Sequence, residues 1–201
     1  MQYISQGDTA EIQFKNIENA LENGAKWIQL RWKDASKNDL KILAQKVKML
    51  CENFNATFII NDDVDLVAKV DADGVHLGLE DLNVLKAREI LGSEKIIGGT
   101  ANTLEDVQHR ISENCDYIGL GPLRFTSTKK KLSPILGFEG YQKIISQLHQ
   151  NNMDFPPIYA IGGITKNDVQ LLQKIGIYGV ALSQLFTDKP ALIQELKTEF
   201  I

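Results

Sequence analysis

Short apolar runs and helical patterns alternate along this chain eight times, and that alternation constrains the fold more than any other feature. The runs are "YIS" at Tyr3, "WIQLRWK", "TFIIND", "GVHLG", "KIIGGT", "YIGLGP", "PIYAIGGI" and "YGVALS". Helical patterns begin near Glu11, Lys37, Val64, Leu82, Thr103, Phe138, Lys166 and Lys189. In "NDLKILAQKVKMLCENF", Leu40, Leu43, Val47 and Leu50 recur at three- and four-residue steps, which predicts an amphipathic helix with Asn38 as a candidate cap. The brief run "TFIIND" that follows suits a strand buried on both faces, as parallel sheets require. Eight strand–helix units predict an α/β protein, a (β/α)8 TIM barrel, with residues 1–201 as one compact domain. The structural alternative is an open doubly wound sheet, but the first strand is not followed by a G-x-G-x-x-G turn.

Charge narrows the partners. There are 22 basic and 26 acidic side chains, a net charge of −4. A nucleic-acid binder is expected to carry a basic excess, so no nucleic-acid partner is predicted. Cys51 and Cys115 lack metal-ligand spacing and read as buried small hydrophobes in a reducing compartment. The start of the chain has no secretory pattern, and no apolar run reaches the ~20 residues that span a bilayer. The expectation is a cytoplasmic protein with no membrane partner. Whether it forms a homo-oligomer is left open.

In a barrel of this kind, chemistry sits at the C-terminal ends of the strands. Strand two ends in "IQLRWK", where alternation places Gln29, Arg31 and Lys33 on one face and Ile28, Leu30 and Trp32 on the other. An inward polar-cationic face reads as an anion site at the barrel mouth or as a salt-bridge ladder. Strand three ends in Asn61, Asp62 and Asp63, and strand four is followed by Glu80 and Asp81. Each aspartate is a candidate helix cap. Two carboxylates from neighbouring strand ends beside cations also suit magnesium, which takes one or two carboxylates and leaves positions for phosphate oxygens. His76 lies within a strand and reads as a satisfied core histidine, while His109 and His149 fall in helices and face solvent. Strand five ends with Gly98, Gly99 and Thr100. Strand seven ends in "AIGGIT", whose glycines permit backbone N–H groups to converge on an anion. The stretch from Arg124 to Leu136 carries Thr126, Ser127 and Thr128, then Lys129, Lys130 and Lys131, a set of donors and cations suited to phosphate.

Together these pieces resemble the thiamine phosphate synthase (thiamine-phosphate pyrophosphorylase) family. The matching segments are "QLRWK", "INDDVDL", "ADGVHLGLEDL", "IIGGT", "DYIGLGP…TSTKK", "AIGGIT" and "GVALS", in the family's order from about Trp27 to Phe186. The resemblance implies a magnesium-dependent transferase of thiamine biosynthesis. It joins a hydroxymethylpyrimidine diphosphate to a thiazole phosphate and releases pyrophosphate. By motif match, Gln29, Leu30, Arg31, Trp32, Lys33 and Asn61 would meet the pyrimidine diphosphate, and Asp62 and Asp81 would hold Mg2+. Thr100 stands where the family usually has serine, near the pyrimidine. Thr126, Ser127 and Thr128 would meet the thiazole phosphate, and Lys129 the diphosphate. Gly163, Leu182 and Ser183 would hold the thiazole phosphate group. Arg31, Lys33, Thr100 and Lys129 are the implied catalytic set.

The sequence departs from the family pattern in places. Leu79 replaces a common glutamine, Asp63 replaces a frequent arginine, and the "GVALSQLF" end is one residue short. Two other readings compete. A thiazole tautomerase-like isomerase on a similar barrel would need neither diphosphate site nor metal pair. A non-catalytic thiamine-phosphate-binding protein would bind without turnover.

Overall fold

A computed structural model describes residues 1–125 and 134–197. Its strands are β1 (Gln2–Ile4), β2 (Trp27–Leu30), β3 (Thr57–Asn61), β4 (Gly74–Leu77), β5 (Ile96–Ala101), β6 (Tyr117–Leu120), β7 (Ile158–Ile161) and β8 (Gly179–Leu182). All eight pair in parallel in sequence order, and β1 closes on β8 through Gln2–Ala181 and Tyr3–Leu182. The helices are α1 (Ala10–Glu22), α2 (Lys37–Asn53), α3 (Val64–Val70), α4 (Val84–Leu91), α5 (Leu104–Ser112), α6 (Gly137–Gln150), α7 (Val169–Ile175), α8 (Gln184–Asp188) and α9 (Leu192–Lys197). A 3-10 turn, Lys166–Asp168, leads into α7. The predicted (β/α)8 barrel is therefore observed.

Strand alternation sorts the side chains into two layers. Ile28, Leu30, Phe58, Ile60, Val75, Leu77, Ile118 and Leu120 pack outward against the helices and form the main core. The opposite faces fill the barrel interior. Gln2 of β1 reaches Tyr117 of β6, and Trp27 of β2 meets the rings of Tyr117 and Tyr159 edge-on at 4.9 and 5.1 Å. Such contacts join non-adjacent strands and so cross the inside of the barrel. Glycine makes the room. A Cβ on Gly98 would lie 2.1 Å from Cζ of Tyr117, and one on Gly119 would lie 3.0 Å from Cε1 of His76.

Local chemistry sets several boundaries differently from the sequence reading. The cap of α2 is Ser36, which accepts from the Asp39 N–H, rather than Asn38. Asn83, not Asp81, caps α4. Strand two stops at Leu30, before "RWK", because the Arg31 main chain pairs with side chains instead of a neighbouring strand. The pattern starting near Lys189 becomes α9, and a further short helix, α8, precedes it, with Pro190 between the two. Proline lacks an N–H and disfavours helical geometry in the residue before it. Cys51 and Cys115 are buried free thiols, and burial pushes both up to about 12. No helix among the described residues is long and apolar enough to cross a membrane.

Candidate functional site

The C-terminal ends of the strands open into a cavity of about 1070 Å³. Its walls include Arg31, Trp32, Lys33, Asn61, Asp62, Asp81 and Thr100, the polar set singled out in the sequence. A second cavity of about 380 Å³ adjoins it, lined by Gly121, Pro122, Phe125, Gly162, Gly163, Leu182 and Ser183. Arg31 and Gln184 belong to both walls.

The two aspartates after β3 divide their work. Asp63 caps α3 by accepting from the Leu66 N–H at 2.9 Å. Asp62 is left to face the cavity. It does so from a left-handed backbone, φ +67°, inside a tight turn in which the Asp63 N–H donates to the Asn61 carbonyl at 2.9 Å. Aspartate tolerates that region better than most residues, yet the conformation still costs free energy, and such strain gathers at functional positions. From the β4 end, Asp81 Oδ2 accepts from the Gly78 N–H at 2.6 Å.

These carboxyls hydrogen-bond to one another. Burial, then the Asp81 hydrogen bond, pushes the Asp62 carboxyl above its ordinary value, although Lys33 opposes this. Burial also raises Asp81, but hydrogen bonds from Asp62 and Gly78 and the charge of Lys33 draw it down overall. Of the two, Asp62 is the carboxyl more readily protonated. Lys33 Nζ lies 2.9 Å from Asp62 Oδ2. The result is a carboxylate pair with a cation at its edge.

Arg31 is held by its main chain. Its N–H donates to Ser5 Oγ at 3.0 Å, and its carbonyl accepts from Gln13 Nε2 at 3.3 Å. Burial pulls the Arg31 guanidinium below its usual value, against the charges of Asp62 and Asp34. Under the other side of the cavity lies a buried ion pair, Arg110 to Glu113 at 2.8 Å. Arg110 also donates to the carbonyls of Thr100 and Gly78, at 3.1 and 2.8 Å. It thereby ties the β5 end to the turn that carries Asp81.

Two members of the expected set lie off the cavity walls. Gln29 faces inward, as alternation requires, but sits below the cavity floor at 2% exposure, with its Nε2 donating to Gln2 Oε1 at 3.2 Å. Leu30 points outward into the helix layer. Ser183 lines the smaller cavity, and its hydroxyl donates to Gln6 Oε1 at 3.1 Å. Gly162 and Gly163 both adopt positive φ, +86° and +68°, a turn that glycine makes without steric cost. Thr126, Ser127, Thr128 and Lys129 lie outside the described residues. His76 is buried, as expected, yet it also lines the cavity.

Sequence reasoning passed over Ser5, Gln13, Arg110 and Glu113. A signal existed for Gln13. It occupies the same buried helical stripe as Ile17, Ala20 and Leu21, a place where glutamine is out of character.

The family model described as thiamine monophosphate synthase matches residues 3–186. The chain belongs to the thiamine monophosphate synthase family. A thiamine-phosphate synthase of Flavobacterium johnsoniae is 53% identical over 199 residues, covering 98% of this chain and 93% of that protein. The one from Flavobacterium psychrophilum is 57% identical over 187 residues, with 93% and 90% covered. Among solved structures, thiamine phosphate pyrophosphorylase from Pyrococcus furiosus superposes with a TM-score of 0.84 at 28% identity, covering 100% of this chain and 96% of that one. The synthase family is one of transferases, and the barrel found here is the fold of that solved relative.

Proposed function

We propose that this chain joins a hydroxymethylpyrimidine diphosphate to a thiazole phosphate, forming thiamine phosphate and releasing pyrophosphate. The observation that carries the reading is Arg31, which stands on the wall of two adjoining cavities. One is polar and holds the carboxylate pair. The other is glycine-rich and more apolar. Two different phosphorylated substrates meeting at one cation require such an arrangement.

Asp62 and Asp81 would hold Mg2+. Two carboxyls side by side on one cavity wall suit an ion that completes its shell with water and phosphate oxygens. When bound, magnesium would supply positive charge to the departing diphosphate. Arg31, Lys33 and, by family resemblance, Lys129 neutralise the same developing charge. The carbon–oxygen bond to the diphosphate breaks with its electron pair leaving on oxygen. The aminopyrimidine stabilises the resulting benzylic-type cation. The thiazole nitrogen then donates its lone pair to that carbon. It carries no proton to lose, so the step calls for no strong general base. Gly163, Leu182 and Ser183 hold the thiazole phosphate in the smaller cavity. Thr126, Ser127 and Thr128 are assigned to the same substrate. Trp32 and Asn61, on the larger wall, border the pyrimidine diphosphate. The enzyme acts on small molecules and is assigned to the cytoplasm.

The test is direct. Purified protein, both substrates and magnesium should yield thiamine phosphate and pyrophosphate in equal amounts, and EDTA should abolish both. Folded protein that leaves both substrates unchanged would refute the assignment.

A further inference from the structure

A line of hydrogen bonds runs from the barrel interior to the cavity floor. Gln29 Nε2 donates to Gln2 Oε1 at 3.2 Å, and Gln2 Nε2 donates to the Tyr117 hydroxyl at 3.2 Å. Tyr117 Oη lies 3.0 Å from His76 Nδ1, and His76 Nε2 lies 3.0 Å from Thr100 Oγ1. All five residues are buried, Gln2 and Gln29 at 1% and 2% exposure. Four strands, β1, β2, β4 and β6, supply the first four members, and β5 supplies the last.

With the Gln2 amide donating to Tyr117, the direction of each later bond follows from the one before it. An amide N–H2 only donates, so Tyr117 accepts from Gln2. Gln29 is a further partner whose hydrogen bond favours the same oxygen as acceptor, so the phenolic proton is directed to His76 Nδ1. Burial holds the Tyr117 phenol far above its ordinary range, so it stays a protonated hydroxyl. A neutral imidazole that accepts at Nδ1 carries its proton at Nε2. That N–H donates to Thr100 Oγ1. Among the described residues the Thr100 hydroxyl has no other hydrogen-bond partner, and Thr100 lines the cavity. Its proton is therefore directed to whatever occupies the cavity.

We propose that Gln2, Gln29, Tyr117 and His76 are positioning residues that set the polarity of Thr100, making its hydroxyl a hydrogen-bond donor to an acceptor atom of the bound substrate. This rests on the proposed function for the identity of that substrate, but not for the direction of the chain. The acceptor has a lone pair and is either a ring nitrogen of the pyrimidine or an oxygen of the diphosphate. The arrangement gives Gln29 a role without contact: it anchors the far end of the line. It also accounts for a threonine where a serine is usual, since both carry the hydroxyl.

The primary test reads the imidazole itself and needs no turnover. In 15N-labelled protein ~2 pH units above the ordinary imidazole pKa of ~6.5, His76 should show a protonated Nε2 and a bare Nδ1. The signal is assigned among the three histidines by its loss in His76→Gln. A protonated Nδ1 would mean that the line runs the other way, with Thr100 donating inward, and would overturn the proposal. Tyr117→Phe, nearly the same shape, should release the tautomer preference, giving a mixed or reversed signal. An unchanged signal also overturns it. The pyrimidine alcohol or magnesium pyrophosphate, added singly, should perturb the Nε2 signal. A response to the alcohol places the acceptor on the ring, and a response to pyrophosphate places it on the leaving group. Silence toward both counts against the proposal.

Kinetics give a second arm. Tyr117→Phe should lower kcat by ~3–10-fold, the worth of one hydrogen bond. In a Thr100→Val background it should cost nothing further, because there is no hydroxyl left to orient. Equal losses in both backgrounds would reduce Tyr117 to a packing role. Thr100→Ser should retain most of the rate. If wild type makes no thiamine phosphate but shows the Nε2–H tautomer, the assigned reaction fails and the chain polarity stands.

Discussion

Lys33 and Asp62 meet at 2.9 Å across the ends of β2 and β3, the lysine half exposed and the aspartate turned inward by its left-handed backbone. The contact joins the cationic and acidic halves of the larger cavity. Asp62→Asn keeps a residue that tolerates positive φ but removes the charge. We expect kcat/KM to fall at least ~100-fold, the scale of losing one electrostatic contact to a developing charge. The melting temperature should move little, because the side chain is partly exposed. Near-normal turnover of Asp62→Asn would remove Asp62 from the mechanism.

The Arg31 main chain is clamped by Ser5 on one side and Gln13 on the other. Gln13 also holds the Gly7 carbonyl, at 2.9 Å. Gln13→Leu leaves two carbonyls without that donor and should destabilise the fold by ~1–3 kcal/mol. The looser Arg31 should also weaken inhibition by pyrophosphate. A variant that loses stability yet binds pyrophosphate normally would show that the clamp serves folding alone.

Arg110 and Glu113 form a pair only 4% and 3% exposed. Arg110→Met strands a buried carboxylate, which also accepts from Asn83, and should cost ~3–5 kcal/mol. Arg110→Met with Glu113→Leu should recover most of that loss, since an apolar pair of similar volume removes the uncompensated charge. Denaturant unfolding of both variants tests this. A double variant no more stable than the single one would argue against it.

Asp168 takes a bidentate pair from Arg124, at 2.5 and 2.8 Å, and caps the turn after β7 through Thr165. Burial alone would raise its carboxyl, but Arg124 and the Thr165 donors hold it below the ordinary value. A depressed folded value stabilises the protein above the unfolded carboxyl value of ~3.9 and loses that stabilisation as pH falls through the folded one. Asp168→Asn should therefore lower stability at pH 7 by ~1–2 kcal/mol, a modest figure because Arg124 is 46% exposed. The gap to wild type should narrow in melting curves taken below about pH 4. A constant gap from pH 7 into acid would contradict the assigned charge.

Much of this was legible in the residues themselves. Strand and helix periods, 2 and 3.6, are local properties, so all eight strands and the barrel could be read from spacing. The strand ends could be searched for charge because the fold class says where chemistry sits. Arg31, Lys33, Asp62, Asp81 and Thr100 do share one cavity. The resemblance of seven ordered motifs pointed to the family that the comparisons identify.

Closure of the barrel decided the rest. Spacing could not tell that Asp63 caps while Asp62 faces inward, because both are aspartates at a helix start, and only the turn at Asp62 separates them. Nor could it tell that Gln29 stops below the floor, since its depth depends on the register of β2 against β1 and β3. The partner of Gln2 is Tyr117, 115 residues away, and the partner of Tyr117 is His76. Alternation assigns each of these side chains to the inner face. Which donor meets which acceptor there is settled only when eight strands close and bring the buried polar groups within reach of one another.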